Sequence, residues 1–141
     1  MTEFFVAGPP VAKGSKVAGR TNAGRLFTRE TNAAKQKPWA AAVRVAAIKA
    51  MNGAQPLIGP VRLDIDFFMP RPKKHFRRNG ELRPDAPKFH DIKPDRDKLL
   101  RCVGDALSGV VYKDDCQACA GQISKLYTTG PGARIAFCAI E

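Results

Sequence analysis

The residues best suited to chemistry lie between Asp91 and Asp115. The chain carries 24 lysines and arginines against 13 acids, a formal net charge of +11. Six of the 13 acids (Asp91, Asp95, Asp97, Asp105, Asp114 and Asp115) fall within 25 residues. A basic surface suits a polyanion, with nucleic acid the first expectation. A dense acidic cluster inside that surface repels the same polyanion unless a divalent cation stands between them. Carboxylates hold Mg²⁺, and the Mg²⁺ meets phosphate. That pairing predicts a metal-dependent nuclease.

Pro94 turns the chain away from helix just before Asp95. Asp95 and Asp97 therefore stand at i and i+2 across a loop-to-helix junction, where two carboxylates can converge on one cation. Asp97 also gains from the helix N-terminus. Asp114 and Asp115 follow the helix by a short turn, expected to fold them back towards its start. A cation held there would activate a water against the phosphorus and offset the developing charge. Arg101, one turn after Asp97, either stabilises the transition state or pairs with Asp97 or Asp105. The plainer reading of the same residues is an N-cap aspartate, a surface ion-pair ladder and an Asp-Asp turn.

The elements that must position these groups can be read from periodicity. Residues 2–7 read as a strand, stopped by Gly8-Pro9-Pro10. Residues 11–34 form a basic loop or hairpin carrying Lys13, Lys16, Arg20, Arg25 and Arg29, expected to contact phosphates. Residues 36–52 are helical, with Trp39, Val43, Ala46 or Ala47, and Ala50 on one side. Pro38 fits the first turn and Asn52-Gly53 the end. Residues 61–69 alternate, with Val61, Leu63, Ile65 and Phe67 facing one way and Asp64 and Asp66 the other. Asp66 is a candidate for a supporting role near the metal.

Residues 70–93 form a long basic connection, of a length that is usually functional or disordered. Lys73, Lys74, Arg77 and Arg78 are its expected DNA contacts. Phe76 and Phe89 either stack on unpaired bases or anchor the segment. His75 and His90 read as loop residues. Residues 96–108 form the second helix, with Leu99, Cys102 or Val103, and Ala106 buried. Asp97, Arg101 and Asp105 share its polar face. Residues 116–127 and 133–140 close the chain as strands. The whole predicts one α+β domain over residues 1–141, a small mixed β-sheet with two main helices.

Cys116-Gln-Ala-Cys119 has the spacing of half a zinc site, but Cys102 and Cys138 are isolated. A strand would also turn Cys116 and Cys119 to opposite faces, so structural zinc is not expected. No apolar run is long enough for a membrane span, and no leader segment is visible. A cytoplasmic protein with no membrane partner and no small-molecule cofactor is expected.

At the acidic segment the sequence resembles the RusA family of Holliday junction resolvases, common in phages and prophages. The family pattern is approximately Lys-Pro-Asp-x-Asp-Asn-Leu-x-Lys, then Asp-x-Leu, then Gly and Asp-Asp-x-Gln. This chain has Lys93-Pro-Asp95-Arg-Asp97-Lys98-Leu99-Leu-Arg101, then Asp105-Ala-Leu107, then Gly109 and Asp114-Asp115-Cys-Gln117. Gly8-Pro-Pro-Val-Ala-Lys13-Gly14 resembles the family's N-terminal Pro-Lys-Gly loop. The resemblance implies a small mixed α/β fold, a homodimer, Mg²⁺ or Mn²⁺, and paired nicking of four-way DNA junctions. It implies Asp95, Asp97 and Asp115 as metal ligands, Asp114 as a neighbouring acid, and Arg101 at the position of the catalytic lysine.

Two positions depart from the pattern. Lys98 replaces Asn and adds charge beside the site, where it joins the expected DNA contacts. Arg101 replaces Lys, which keeps the charge but makes a proton-donor role doubtful. A homodimer also has a reason of its own, because a twofold junction cut symmetrically needs two matched sites. Two other readings remain: a non-catalytic module that binds branched DNA, and a nuclease for forks or flaps.

Overall fold

A computed structural model describes residues 1–14, 16–30 and 32–141; the side chains at 16–17 and 27–30 lie outside that description. Among the described residues, seven strands and two α-helices follow the chain: β1 (Thr2–Ala7), β2 (Lys16–Arg20), β3 (Leu26–Glu30), α1 (Ala33–Met51), β4 (Val61–Pro70), α2 (Arg96–Leu107), β5 (Ala118–Ala120), β6 (Ile123–Thr128) and β7 (Gly132–Ala139). β2 and β3 form an antiparallel hairpin of their own, so the basic segment 11–34 is largely a hairpin arm. The remaining five strands make one mixed sheet. The fold is α+β, as the sequence predicts.

β4 is the spine of that sheet. It runs antiparallel to β7 on one side and parallel to β5 and β6 on the other. β1 extends the sheet beyond β7. The period-two pattern of β4 works as expected: Val61, Leu63, Ile65, Phe67 and Met69 are all buried. Both helices cover this apolar face. α1 packs on β1 and on α2, and α2 packs on β6. Val43, Leu99, Val103 and Leu107 meet Ile65, Phe67 and Ile135 in one core.

Two elements differ from the sequence expectation. α1 begins at Ala33, so Pro38 lies inside it rather than in its first turn. The preceding Ala-Ala-Lys-Gln-Lys run consists of strong helix formers, and the helix forgoes one backbone hydrogen bond at Pro38. Asn52 (φ 48°) and Gly53 (φ 81°) end it in the left-handed region, as expected. The strand expected over 116–127 is interrupted at Gly121. There the backbone passes so close to the Leu63 carbonyl that any Cβ would collide with it. Cys116 consequently sits in a 3₁₀ turn (Asp115–Gln117) and Cys119 in β5, rather than both in one strand.

The segment between β4 and α2 is anchored by the residues expected to be idle. His75 and His90 are buried, and both rings meet Tyr127 edge-on, with centroids 4.7 and 4.9 Å away. Arg71 lies over the same ring and donates to the Pro87 carbonyl at 2.8 Å. A histidine is half apolar, and Tyr127 offers a ring face at the sheet edge where the segment must dock. The Phe89 side chain is 59% exposed, while its backbone forms an antiparallel bridge to Leu126 of β6.

Candidate active site

α2 carries the candidate residues because its two faces are sharply different. Leu99, Cys102, Val103 and Ala106 are buried, which fixes the helix rotation. Asp97, Arg101 and Asp105 are then left on the exposed face. Arg44, reaching from α1, donates to the carbonyls of Ala106 (3.3 Å) and Ser108 (2.9 Å) and closes the C-terminal end. Lys125 donates to the carbonyls of Ile92 (2.8 Å) and Pro94 (2.7 Å) and pins the approach to the N-terminal end.

Asp95 occupies the N-cap position, but its side chain makes no capping hydrogen bond. Its carboxylate faces outward, 3.9 Å from the Lys98 ammonium. It lines a depression with Lys13, Lys93 and Lys98. Asp97 lies in the first turn. Among the described residues, neither Asp97 nor Arg101 has a hydrogen-bond or ion-pair partner. Asp105 is instead bound by Lys13 at 2.5 Å. The Lys13 backbone N–H also donates to the Lys98 carbonyl at 3.1 Å. The Gly-Pro-rich segment after β1 is thereby laid along α2.

Asp114 and Asp115 fold back onto α2, but against its C-terminal half rather than its start. Tyr112 determines the position. Its buried hydroxyl donates to the Gly104 carbonyl at 2.9 Å. Asp115 then lies over Gly104, where a Cβ would sit 3.8 Å from the Asp115 Cβ and 3.9 Å from its Oδ2. Asp115 and Arg101 line one cleft of about 160 Å³, with Gly104 and Tyr112 among its walls. Asp97 stands one helical turn, about 5.4 Å, beyond Arg101 on the same face.

Gln117 holds the Asp-Asp turn together. Its Oε1 accepts from the backbone N–H of Lys113 (2.9 Å) and Asp114 (3.1 Å). Its Nε2 donates to the carbonyls of Leu57 (2.9 Å) and Gly59 (3.0 Å). Asp114 Oδ1 accepts from the Cys116 N–H at 3.0 Å, completing a capping box. The spacing Asp114-x-x-Gln117 is the sequence signal for such a box, and reading 116–127 as one strand overlooks it.

The electrostatics of the turn are unbalanced. The hydrogen bond Asp115 gives to Asp114, then burial, then its contact with Asp105 hold the Asp115 carboxyl above the usual range. Asp114 is held below it by the Cys116 backbone N–H first and by Asp115 second. Burial, then the charges of Asp115, Asp105 and Asp114, push the Tyr112 hydroxyl far up, so it stays a donor. Three carboxyls crowd together here, and the crowding is what raises Asp115. Carboxyls crowded in this way gain from a nearby cation. The donors are all oxygen, which suits a hard ion such as Mg²⁺ or Mn²⁺.

Asp105, Asp114 and Asp115 thus come together, with Arg101 beside Asp115. Asp95 and Asp97 stay at the other end of α2. Among the described residues no three His, Cys, Asp or Glu side chains are spaced to hold a metal ion. Asp66 is removed from the site altogether. It lies on the opposite face of the sheet, bound to Arg134 (2.7 Å) and Ser124 (2.5 Å). Period-two alternation points it away from the helices. Bonds from Ser124 and Arg134 outweigh burial and lower its pKa.

Of the expected DNA contacts, Lys73, Lys74, Arg77 and Arg78 are exposed on the anchored segment before α2, and Arg20 is exposed at the end of β2. Lys13 is committed to Asp105. The side chain of Lys16 lies outside the described residues. No helix is long and apolar enough to cross a membrane among the described residues.

Comparison with known proteins identifies the family. The sequence profile of the family described as endodeoxyribonuclease RusA matches residues 7–137. A Bacillus subtilis (strain 168) protein, the uncharacterized protein YqaN, is 32% identical over 142 residues, covering 94% of this chain and 92% of that protein.

Proposed function

The chain belongs to the RusA endodeoxyribonuclease family, and from that premise we propose that it resolves four-way DNA junctions as a homodimer by paired, symmetric, Mg²⁺-dependent nicking. Mn²⁺ is the expected substitute. The observation that carries this reading is the cleft shared by Arg101 and Asp115. It sets a permanent cation beside a carboxyl group whose pKa its acidic neighbours and burial raise.

Asp95, Asp97 and Asp115 would hold the divalent ion, with Asp114 as neighbour, only if the start of α2 and the acidic turn over Gly104 drew closer than they stand here. When bound, that ion supplies an activated water and offsets charge on the phosphate. The chain's own groups do the rest. Arg101, unpaired among the described residues, donates to the non-bridging phosphate oxygens as negative charge builds in the transition state. A guanidinium stays protonated, so its role is electrostatic, and the proton for the leaving oxygen comes from water. Tyr112 and Gln117 hold the turn so that Asp115 remains against Gly104. Lys73, Lys74, Arg77 and Arg78 grip DNA arms through phosphates, which makes affinity salt-dependent.

A second reading rests on Lys98. Its ammonium lies 3.9 Å from Asp95, where a metal would compete with it. A module that binds branched DNA without cutting it would tolerate that contact. One experiment separates the two. A labelled four-way junction and its matched linear duplex are incubated with the protein in Mg²⁺, Mn²⁺ or EDTA, beside Asp97→Asn. Symmetric nicks that need metal and vanish in the variant support the resolvase. Tight junction binding without nicks under any metal supports the binding module.

A further inference from the structure

Between α2 and the end of the sheet the apolar layer is left unfilled. Leu63 of β4, Leu100 of α2 and Ile123 at the start of β6, together with Ala118, Ala120 and Gly121, line a pocket of about 200 Å³. Protein interiors pack to the density of organic crystals, so apolar space of this size is uncommon. The sequence creates it. Ala118 and Ala120 share a face of β5 and carry one methyl group each. Gly121 has no side chain because the Leu63 carbonyl occupies that position. Leu63 is buried and Leu100 and Ile123 are partly buried, whereas Ala120 and Gly121 are exposed, so the pocket opens to solvent. Leu63, Leu100 and Ala118 also wall the cleft of Arg101 and Asp115. The pocket and the cleft are therefore neighbours.

What the walls lack decides what enters. None of these six residues carries a charge, and the Cys119 thiol beside them donates to the Gln117 carbonyl at 3.2 Å. A phosphate meets no cation there, while Arg101 stands in the adjoining cleft. Along a DNA strand, the group next to a phosphate is a nucleoside. Its base is apolar on both faces and polar only at the edge. Leu63, Leu100 and Ile123 suit the faces. β5 ends the sheet order, so one side of its backbone has no neighbouring strand among the described residues and can meet the polar edge. We propose that this pocket receives one unstacked nucleobase flanking the phosphate held at Arg101. The proposal rests on the resolvase reading and deepens it, because it names the substrate group that fixes the strand beside the cleft. Taking a base out of the stack costs least where pairing is already broken. The exchange point of a branched junction supplies such a base more readily than linear duplex, so the pocket favours branched DNA.

The test begins with the full wild-type chain and a labelled four-way junction in Mg²⁺, which maps the cut phosphate. The base on each side of it is then replaced, one at a time, by an abasic analogue. One of the two should slow wild-type cleavage by about tenfold or more, the usual worth of one stacked base. Ala120→Phe fills the pocket and should slow cutting of the intact junction by a similar factor, with an unchanged circular dichroism spectrum. The abasic junction should cost this variant nothing further, since two changes that remove one contact do not add. Ala120→Val, a smaller intrusion, should fall between, and it takes over the comparison where the phenylalanine variant does not fold. A readout without cleavage places 2-aminopurine, whose fluorescence stacking quenches, at the same position in EDTA. It should brighten when wild type binds and stay dark with Ala120→Phe, while affinity measured by anisotropy changes little. Abasic junctions cut as fast as the intact one overturn the proposal. So does 2-aminopurine that stays dark with wild type. Abasic and Ala120 effects that multiply would give the pocket a packing role alone and overturn it too. A wild type that cuts no junction removes the resolvase reading, and 2-aminopurine scanned across the exchange point then decides the pocket separately. Brightening that Ala120→Phe abolishes keeps it, and darkness at every position removes it.

Discussion

Asp115 rests directly on Gly104, its Cβ 3.8 Å from where a side chain at that helical position would begin. The glycine therefore sets how closely the Asp-Asp turn approaches α2. Gly104→Ala introduces only ordinary van der Waals contacts and removes a helical glycine, worth roughly 0.5–1 kcal/mol of stability. It should melt at or slightly above the wild-type temperature and cleave within a few-fold of it. Gly104→Leu needs the space that Asp115 fills, and cleavage should fall by about 100-fold. Thermal melts beside junction cleavage separate the two effects, and equal activity in both variants would count against the contact.

Arg101 shares the cleft with Asp115 and has no other partner among the described residues. Arg101→Ala should lower the single-turnover cleavage rate by about 10²–10³-fold, the usual cost of losing one transition-state donor. Junction affinity should change little. Arg101→Lys should cut faster than wild type, because the shorter point charge fits more readily and can give up a proton. A lysine variant no faster than the arginine enzyme would remove that argument.

Gln117 makes two hydrogen bonds as acceptor and two as donor, joining the acidic turn to the carbonyls of Leu57 and Gly59. Gln117→Ala strands several of these groups, at about 1–3 kcal/mol. Denaturant unfolding should show that loss, and cleavage should fall with it because Asp115 is no longer fixed. Gln117→Glu keeps the accepting oxygens and loses the donors, so it should fall between alanine and wild type in stability.

His75 and His90 are both held below the usual histidine pKa, first by burial and then by Arg71 and Lys74 at His75 and by Lys125 at His90. A histidine with a lowered folded pKa takes up its proton more readily in the unfolded chain. The stability it provides is present above the unfolded value of about 6.5 and is lost as pH falls through and below it. Wild type should therefore lose melting temperature between about pH 7 and pH 5. His75→Phe with His90→Phe should flatten that part of the profile. A double variant with an unaltered profile would place the acid sensitivity elsewhere.

Lys73, Lys74, Arg77 and Arg78 stand exposed on the segment that those histidines anchor. Replacing all four with alanine should leave unfolding unchanged and weaken junction binding. The dependence of log affinity on log salt should flatten by about 0.9 for each phosphate that the variant no longer neutralises. Binding measured by anisotropy at several salt concentrations gives the number directly. An unchanged slope would show that these side chains do not touch phosphate.

Much of this protein is legible in the order of its residues. Local periodicity places α2 and β4, because the buried set Leu99, Cys102, Val103 and Ala106 repeats with the helix and Val61 to Met69 alternates with the strand. The same local rules leave Asp97, Arg101 and Asp105 on one exposed face and turn Asp66 away from it. The motif around Asp95 to Gln117 carries the family, which the matched profile establishes. What the sequence could not supply were the contacts between residues far apart along the chain. Lys13 reaches Asp105, Tyr112 locks onto Gly104, Tyr127 gathers His75 and His90, and Gly121 yields to the Leu63 carbonyl. Periodicity reports which way a side chain points, but not which distant surface it meets. That is decided only when the sheet closes and its neighbours compete for the same space. For this reason the acidic turn lies on the far half of α2 rather than at its start, and the histidines of a basic loop became its anchor.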